Sequence, residues 1–141
     1  RYVTGEEPVA VTAKQSTTRP DIYKNLDETM QFRLEFPGGA VAECETSFGK
    51  SMNNLNVTCT KGWYKLEPFQ AYSGIKGTTS DGRALNATIP NQQAKQMDED
   101  AQAILQNTQV LVPGEEGLKD IKVVEAVYRS VKENGRVIIG G

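Results

Sequence analysis

The hydrophobic period of this sequence changes once, near Pro90, and that change constrains the fold more than any other feature. Upstream of Pro90, apolar residues recur at every second position in several short segments, as in half-buried β-strands. Downstream, they recur at three- and four-residue spacing, as on amphipathic helices. This order predicts an α+β fold, with an open, largely antiparallel sheet and two C-terminal helices that cover one face.

The clearest strand signal lies just before the glycine-rich turn at 37–39. The apolar face of this strand carries Met30, Phe32, Leu34 and Phe36. A two-residue loop at the turn would place Glu43 beside Leu34, on that apolar face. A three-residue loop instead pairs Phe32 with Cys44. Because the register follows the buried pattern, we predict the three-residue loop.

Two more hairpins are predicted downstream. In one, Lys61-Gly62 is a two-residue loop that pairs Cys59 with Tyr64, since Gly62 can supply the positive φ of a tight turn. In the other, the chain turns at Asp81-Gly82. The remaining predicted strands span 8–13, 75–79, 84–89 and 136–139.

Helical spacing predicts one helix from Pro90 to about Gln106 and another from about Leu118 to Asn134. The inward face of the second helix is expected to carry Leu118, Ile121, Val124, Val127, Tyr128 and Val131.

The composition excludes several classes of function. The chain has no histidine, which removes histidine-based nucleophilic, general-base and zinc sites. Its 16 basic and 18 acidic residues form no basic stripe, so nucleic acid is not an expected partner. Its apolar runs are too short for a membrane span. The sequence also has no glycine-rich dinucleotide motif and no metal-ligand spacing, so we expect no cofactor or metal residues in this chain. Without histidine, catalysis here would have to rest on carboxylates, Lys or Tyr, or on residues outside this chain.

The two cysteines, Cys44 and Cys59, each fall in a predicted strand, where buried free thiols are expected. Free thiols suit a reducing compartment, which makes the cytoplasm the expected location and the periplasm the alternative.

Several short strings occur in a characteristic order along nearly the whole chain. They include Asp27-Glu28-Thr29-Met30, Leu34-Glu35-Phe36-Pro37-Gly38-Gly39-Ala40, Thr60-Lys61-Gly62-Trp63, Leu66-Glu67-Pro68, Asn91-Gln92, Gln96-Met97-Asp98, Val112-Pro113-Gly114-Glu115-Glu116-Gly117-Leu118 and Ala126-Val127-Tyr128-Arg129-Ser130. From Pro8 to Ile139 this order resembles the C-terminal domain of the glucose–fructose oxidoreductase family, which also contains inositol dehydrogenases.

The resemblance implies that this chain is one of two domains of a longer protein and that the other domain binds the cofactor. An N-terminal Rossmann domain, absent from this chain, would bind NAD or NADP, and residues 1–141 would form a single C-terminal domain. We therefore expect the complete protein to be an NAD(P)-dependent oxidoreductase acting on a sugar, a polyol or a derivative. This chain alone is expected to be inactive and to bind no cofactor.

The resemblance also suggests a substrate-side wall after the second strand of the first hairpin. The candidate substrate-binding residues there are Lys50, Asn53 and Asn54, with Tyr72, Asn91 and Gln92 as a second group. Polar side chains at these positions could bind sugar hydroxyls, although Asn91 could instead cap the helix after Pro90.

Two helices can cover only one face of a sheet, so the bare face is expected to form a homo-oligomer. Its expected anchor residues are Trp63, Val41, Thr58 and Thr60. Two alternatives stay open: a stand-alone ligand-binding module for a carbohydrate, and an association module without a ligand. A dinucleotide motif upstream of Arg1 would favour the oxidoreductase.

Overall fold

The computed structural model of this protein describes residues 1–140. Its strands are β1 (Ala10–Ser16), β2 (Thr29–Glu35), β3 (Val41–Ser47), β4 (Leu55–Cys59), β5 (Gly62–Leu66), β6 (Ile75–Thr79), β7 (Ala84–Ala87) and β8 (Val137–Ile138). Its helices are α1 (Gln92–Leu105) and α2 (Gly114–Glu133). The predicted α+β class is confirmed. None of the helices within the described residues is long and apolar enough to span a membrane.

The strands form two open antiparallel sheets, in the orders β3-β2-β1-β8 and β4-β5-β6-β7. The chain divides into two compact units, each of which contains one of these sheets. The first unit comprises Arg1–Ser51 and the chain from Pro113 onward, and the second comprises Met52–Val112. The open, antiparallel character of the predicted sheet is confirmed, but its strands are shared between two hydrogen-bonded ladders. In the first unit α2 packs on β1, whereas α1 belongs to the second unit.

The core of the first unit lies between its sheet and α2. It consists of Val11, Met30, Ala126, Val127 and Val137. Burial of each large apolar side chain in it contributes about 1.5–3 kcal/mol. The predicted inward face of α2 is correct for Val127 and Val131. It is wrong for Leu118, Ile121, Val124 and Tyr128, which are 47–63% exposed. The helix instead turns the small residues Ala126 and Ser130 towards the strands, which allows close packing.

The first hairpin has the predicted register. Phe32 pairs with Cys44 and Leu34 with Ala42, across a three-residue loop. The Phe36 N–H donates to the carbonyl oxygen of Ala40 at 3.0 Å, which closes that loop. The register buries the apolar side of β2 under α2, as the alternation requires.

The second hairpin differs from its prediction. Its loop is Thr60-Lys61, and Cys59 pairs with Gly62, so the predicted pairing of Cys59 with Tyr64 is wrong. Gly62 lies in β5 with a φ of 143°. A Cβ atom there would lie 2.2 Å from Ser80 Oγ, so this close approach and the positive φ both favour glycine, although Gly62 lies outside the turn.

The other predicted elements are found with small shifts. The turn at Asp81-Gly82 joins β6 to β7, and Gly82 has a φ of 81°. The strand predicted at 8–13 is β1, which begins and ends later. The strand predicted at 136–139 is β8, which pairs with β1. The helix predicted from Leu118 begins at Gly114 and ends at Glu133.

The four predicted anchor residues of the oligomer surface do not share one sheet. Val41 lies in β3 of the first sheet, whereas Thr58 and Trp63 are directly opposed in the second sheet and Thr60 lies in its first loop. The prediction of a single bare face that carries all four is therefore corrected, because β3 and β4 are end strands of separate ladders.

The two cysteines differ in exposure. Both are free thiols, as predicted. Cys44 is half-buried, and burial raises the pKa of its thiol. Cys59 is exposed because it is the last residue of β4 before the loop, so the expectation that it is buried is wrong.

Candidate functional site

Lys50 follows the end of β3 and forms part of a polar row on the first sheet. Its ammonium group pairs with the Glu45 carboxylate, and the Gln31 Nε2 donates to the same carboxylate at 2.7 Å. The β2–β3 register causes this grouping, because it places Gln31 directly opposite Glu45. The bond from Lys50, followed by that from Gln31, holds the pKa of the Glu45 carboxyl below its ordinary value.

Glu45 and Gln31 were not among the predicted site residues, although the sequence contains the signal for them. The register predicted for the first hairpin already pairs Gln31 with Glu45. Alternation then puts both side chains on the polar face of the sheet, beside the loop that carries Lys50.

A groove of about 760 Å³ runs along the first sheet. Its charged lining residues are Lys14, Arg33, Glu35, Glu43 and Glu45. These charges are largely paired, Arg33 with Glu43 and Glu35 with Arg136. Paired charges offer many hydrogen-bonding groups without a strong field of one sign. Such a surface suits an uncharged, hydroxylated ligand better than a polyanion.

Asn53 has a well-defined local role in the second unit. Its Oδ1 accepts hydrogen bonds from the backbone N–H groups of Phe69 (3.0 Å) and Gln70 (2.9 Å). Its Nδ2 donates to the Gln70 carbonyl oxygen at 2.5 Å. The amide thus holds the backbone of a loop that leads from β5 to β6.

Gln92 holds the next part of the same loop. Its Nε2 donates to the carbonyl oxygen of Ala71 at 3.1 Å. Tyr72 follows directly and is 77% exposed. Two predicted residues, Asn53 and Gln92, therefore bind the loop that presents a third, Tyr72.

The remaining predicted residues are more exposed. Asn54 lies beside Asn53 and is exposed. Asn91 is the residue before α1 and has a φ of 53°, but its side chain does not cap the helix. The capping role considered for its side chain is therefore wrong, because the left-handed backbone of Asn91 departs from the extended conformation that capping side chains adopt. Lys50 belongs to the first unit and the other five candidates to the second.

Acidic side chains are common in this chain, 18 in all. Within residues 1–140, no three His, Cys, Asp or Glu side chains form a group that could hold a metal ion.

Comparison with known proteins shows what this chain is similar to. Residues 1–65 match the family model of the GFO/IDH/MocA C-terminal domain. A structure of aldose-aldose oxidoreductase from Caulobacter crescentus, complexed with glycerol, is 35% identical to this chain. Its TM-score is 0.90, and the match covers 99% of this chain and 43% of that one.

Two further matches extend the comparison. D-xylose 1-dehydrogenase [NADP(+)] from Haloarcula marismortui is 26% identical over 142 residues, which cover 97% of this chain and 39% of that protein. A structure of myo-inositol 2-dehydrogenase from Lactobacillus plantarum is 17% identical with a TM-score of 0.75, and it shares the fold over 99% of this chain and 44% of its own. The chain therefore spans about two fifths of the length of the proteins it matches.

Proposed function

We propose that this chain is the C-terminal, substrate-side domain of an NAD(P)-dependent oxidoreductase of the GFO/IDH/MocA family acting on a sugar or polyol, as its sequence motifs predict. The observation that carries this proposal is the similarity over almost the whole chain to aldose-aldose oxidoreductase. The similarity to D-xylose 1-dehydrogenase favours an aldose as the substrate.

The described residues do not fit a dinucleotide. Both sheets are antiparallel, and within residues 1–140 no helix follows a parallel strand through a glycine-rich turn, which is how such cofactors are commonly bound. The first turn of α2 also carries Glu115, whose carboxylate would repel a pyrophosphate. We expect NAD or NADP to bind outside these residues, in an N-terminal Rossmann domain of a longer protein for which this chain is a single C-terminal domain.

The first proposed substrate contact is Lys50. Its ammonium group is paired with Glu45, so it is fixed in place and retains N–H donors for a sugar hydroxyl. The Glu45 carboxylate and the Gln31 amide lie beside it and add acceptors and donors suited to neighbouring hydroxyls. Such a contact would help to place the substrate and would not take part in bond breaking.

The second proposed group of contacts is on the second unit. Tyr72, Asn54 and Asn91 are exposed and offer hydroxyl and amide groups. Asn53 and Gln92 each use one N–H of the amide to hold the loop that leads to Tyr72, and the other N–H can bind a ligand.

The test of this function uses the intact enzyme that carries this chain. We expect NAD(P)-dependent oxidation of at least one aldose or polyol from a panel, followed by nicotinamide absorbance. Calorimetric titration of the 141-residue chain alone should show no binding of NAD(H) or NADP(H). Micromolar binding of either nucleotide by this chain would contradict the assignment of the cofactor to another domain.

We also propose that the chain self-associates, as its exposed sheet surfaces suggest. Trp63 is 39% exposed, with the Lys65 ammonium 5.1 Å from its ring centre, and Thr58 lies opposite. An exposed aromatic residue among β-branched neighbours is a common interface anchor. Light scattering of wild type, Trp63→Glu and Val41→Glu tests this: a dimer that only Trp63→Glu dissociates would place the interface on the second sheet. A monomeric wild type would exclude self-association.

The same surface supports a second candidate, a carbohydrate-binding module without hydride transfer. An exposed Trp63 beside Lys65 and Thr58 offers a stacking face and polar groups for a sugar ring. Saturable binding of an aldose to this chain alone, lost in Trp63→Ala, would favour the module.

A cytoplasmic location stays a prediction, which cell fractionation would test.

A further inference from the structure

Glu28 is a buried carboxylate just before β2, with 2% of the residue exposed. It accepts hydrogen bonds from the Thr18 N–H (2.6 Å), the Arg19 N–H (3.0 Å) and the Arg19 Nε (2.7 Å). The Thr18 hydroxyl donates to it as well, at 3.1 Å. A buried charge is retained only where it is paired and fully hydrogen-bonded, and Glu28 meets both conditions.

The bonding of Glu28 also controls its ionisation. Burial alone would raise the pKa of this carboxyl, but the bonds from Arg19 and from the backbone N–H groups of Thr18 and Arg19 more than offset burial. They hold the pKa at about 2. The group is therefore a fixed anion at neutral pH.

Glu28 and Arg19 together fix the end of β3. The Phe48 N–H donates to the Glu28 carbonyl oxygen at 2.8 Å, and Arg19 Nη2 donates to the Phe48 carbonyl oxygen at 3.3 Å. The Phe48 ring stacks on Tyr23 with their centres 5.9 Å apart. The Arg19 guanidinium lies 5.1 Å from the centre of the Tyr23 ring, at the distance of a cation–π interaction.

Gly49 completes this arrangement. A Cβ atom at Gly49 would lie 2.6 Å from Glu28 Oε1 and 3.3 Å from Arg19 Nη2, so no larger residue fits without displacing the ion pair. The Gly49 N–H donates to Ser47 Oγ at 3.0 Å, and that hydroxyl bonds to Thr29 Oγ1 at 2.7 Å. The backbone at 48–49 is therefore held on both sides immediately before Lys50.

We propose that Glu28 and Gly49 are positioning residues for Lys50, which fix the backbone at 48–49 so that the Lys50 ammonium meets the sugar in one orientation. This inference rests on the proposed function, because it assumes that Lys50 contacts the substrate. Its independent basis is the set of bonds that the buried carboxylate and its arginine make to the residue preceding Gly49.

The test uses steady-state kinetics of the intact enzyme with Glu28→Gln, Gly49→Ala and Lys50→Ala. A misplaced contact weakens substrate binding, so we expect Glu28→Gln and Gly49→Ala each to raise the KM for the sugar about tenfold, with kcat and the nucleotide KM little changed. Because the two residues act through Lys50, Glu28→Gln should add nothing to the KM of Lys50→Ala.

Glu99→Gln is the matched control, since the exposed Glu99 pairs with Lys95 within α1, in the second unit. It should leave the sugar KM unchanged. Amide hydrogen exchange on the 141-residue chain gives a second readout, in which both positioning variants should speed exchange at Phe48.

Two outcomes would overturn the inference. The first is an unchanged sugar KM in both positioning variants, whether or not the Phe48 amide exchanges faster. The second is that Glu28→Gln and Lys50→Ala have additive effects on the sugar KM. An intact wild-type enzyme that oxidises no sugar or polyol would instead overturn the proposed function, and the role of Glu28 with it.

Discussion

The two units of this chain contain similar elements but bury their apolar residues very differently. Each has a four-stranded antiparallel sheet and one helix. In the first unit α2 encloses a core that includes Val11 and Met30, whereas in the second Ala103 is the one buried apolar side chain among the described residues. The apolar residues Met97 and Ile104 of α1 are 65% and 76% exposed. A periodic helix therefore does not by itself create a core; it must have an apolar strand surface to cover.

The largest expected effect tests this contrast with two methionines. Met30 is 3% exposed in the first unit, so Met30→Ala should leave a cavity and lower the free energy of unfolding by about 2–5 kcal/mol. Met97→Ala on α1 should change it by less than about 0.5 kcal/mol. Urea denaturation followed by circular dichroism measures both. Similar losses in the two variants would show that α1 is as well packed as α2.

The contrast also explains which hairpin register could be predicted. In the first hairpin the alternatives differ by one residue, and a one-residue slip would turn the apolar face of β2 to the solvent. In the second hairpin the predicted and observed pairings of Cys59, with Tyr64 and with Gly62, differ by two residues. A two-residue slip keeps every side chain on the same face. Alternation cannot separate such registers, and here the contact of Gly62 with Ser80 does.

The second prediction concerns the junction of α2 and β1. Ser130 is completely buried; its hydroxyl accepts from the Ala13 N–H at 2.8 Å and donates to the Gly135 carbonyl oxygen. The Ala13 N–H lies beyond the short β8 ladder, so this hydroxyl replaces a strand partner. Ser130→Ala leaves both backbone groups without that partner and should cost about 1–3 kcal/mol of unfolding free energy.

Ser16→Ala is the matched control for Ser130, because Ser16 is exposed at the end of β1. Urea denaturation should show little change for it. A loss for Ser130→Ala no larger than that for Ser16→Ala would mean that the hydroxyl adds nothing to the packing of the helix.

The candidate site was less predictable than the fold. The resemblance to the family, together with the polarity of the segment after β3, selected Lys50 and Asn53, and their contact with a substrate stays a prediction. Neither signal revealed that Asn53 holds residues 69 and 70, since that depends on a loop returning to it from 16 residues away. The sequence did not indicate that Glu28 is buried, because a carboxylate beside a strand is normally solvated. Its burial results from the path of residues 18 and 19, which alternation does not specify.

The third prediction tests the register of the second hairpin. Gly62→Ala should lower the free energy of unfolding by roughly 1–2 kcal/mol, because the new methyl group meets Ser80 Oγ and the φ of 143° disfavours alanine. Adding Ser80→Ala removes the oxygen and should recover part of the loss. Gly117→Ala in α2 is the control: its Cβ would meet no atom within 4 Å, so stability should rise by about 0.5–1 kcal/mol. If Gly62→Ala lowered the free energy of unfolding equally in the wild-type and Ser80→Ala backgrounds, the close approach of residue 62 to Ser80 would be contradicted.

The last prediction is confined to acid and concerns the buried charge of the first unit. The pKa of the Glu28 carboxyl is about 2 in the folded chain, against an ordinary value of 4.5. A lowered pKa means that the unfolded chain binds the proton more readily, so this group stabilises the fold fully above pH 4.5. That contribution is lost as the pH falls from 4.5 towards 2.

Glu28→Gln has no such titration, so the difference in melting temperature between wild type and variant should be constant from pH 7 to pH 5 and shrink steadily below pH 4.5. Glu43→Gln, at an exposed ion pair on the same sheet, should stay close to wild type throughout. A difference in melting temperature between wild type and Glu28→Gln that grew in acid would mean that the Glu28 carboxyl is protonated in the folded chain. The hydrogen bonds from Thr18 and Arg19 would then not be the interactions that stabilise it.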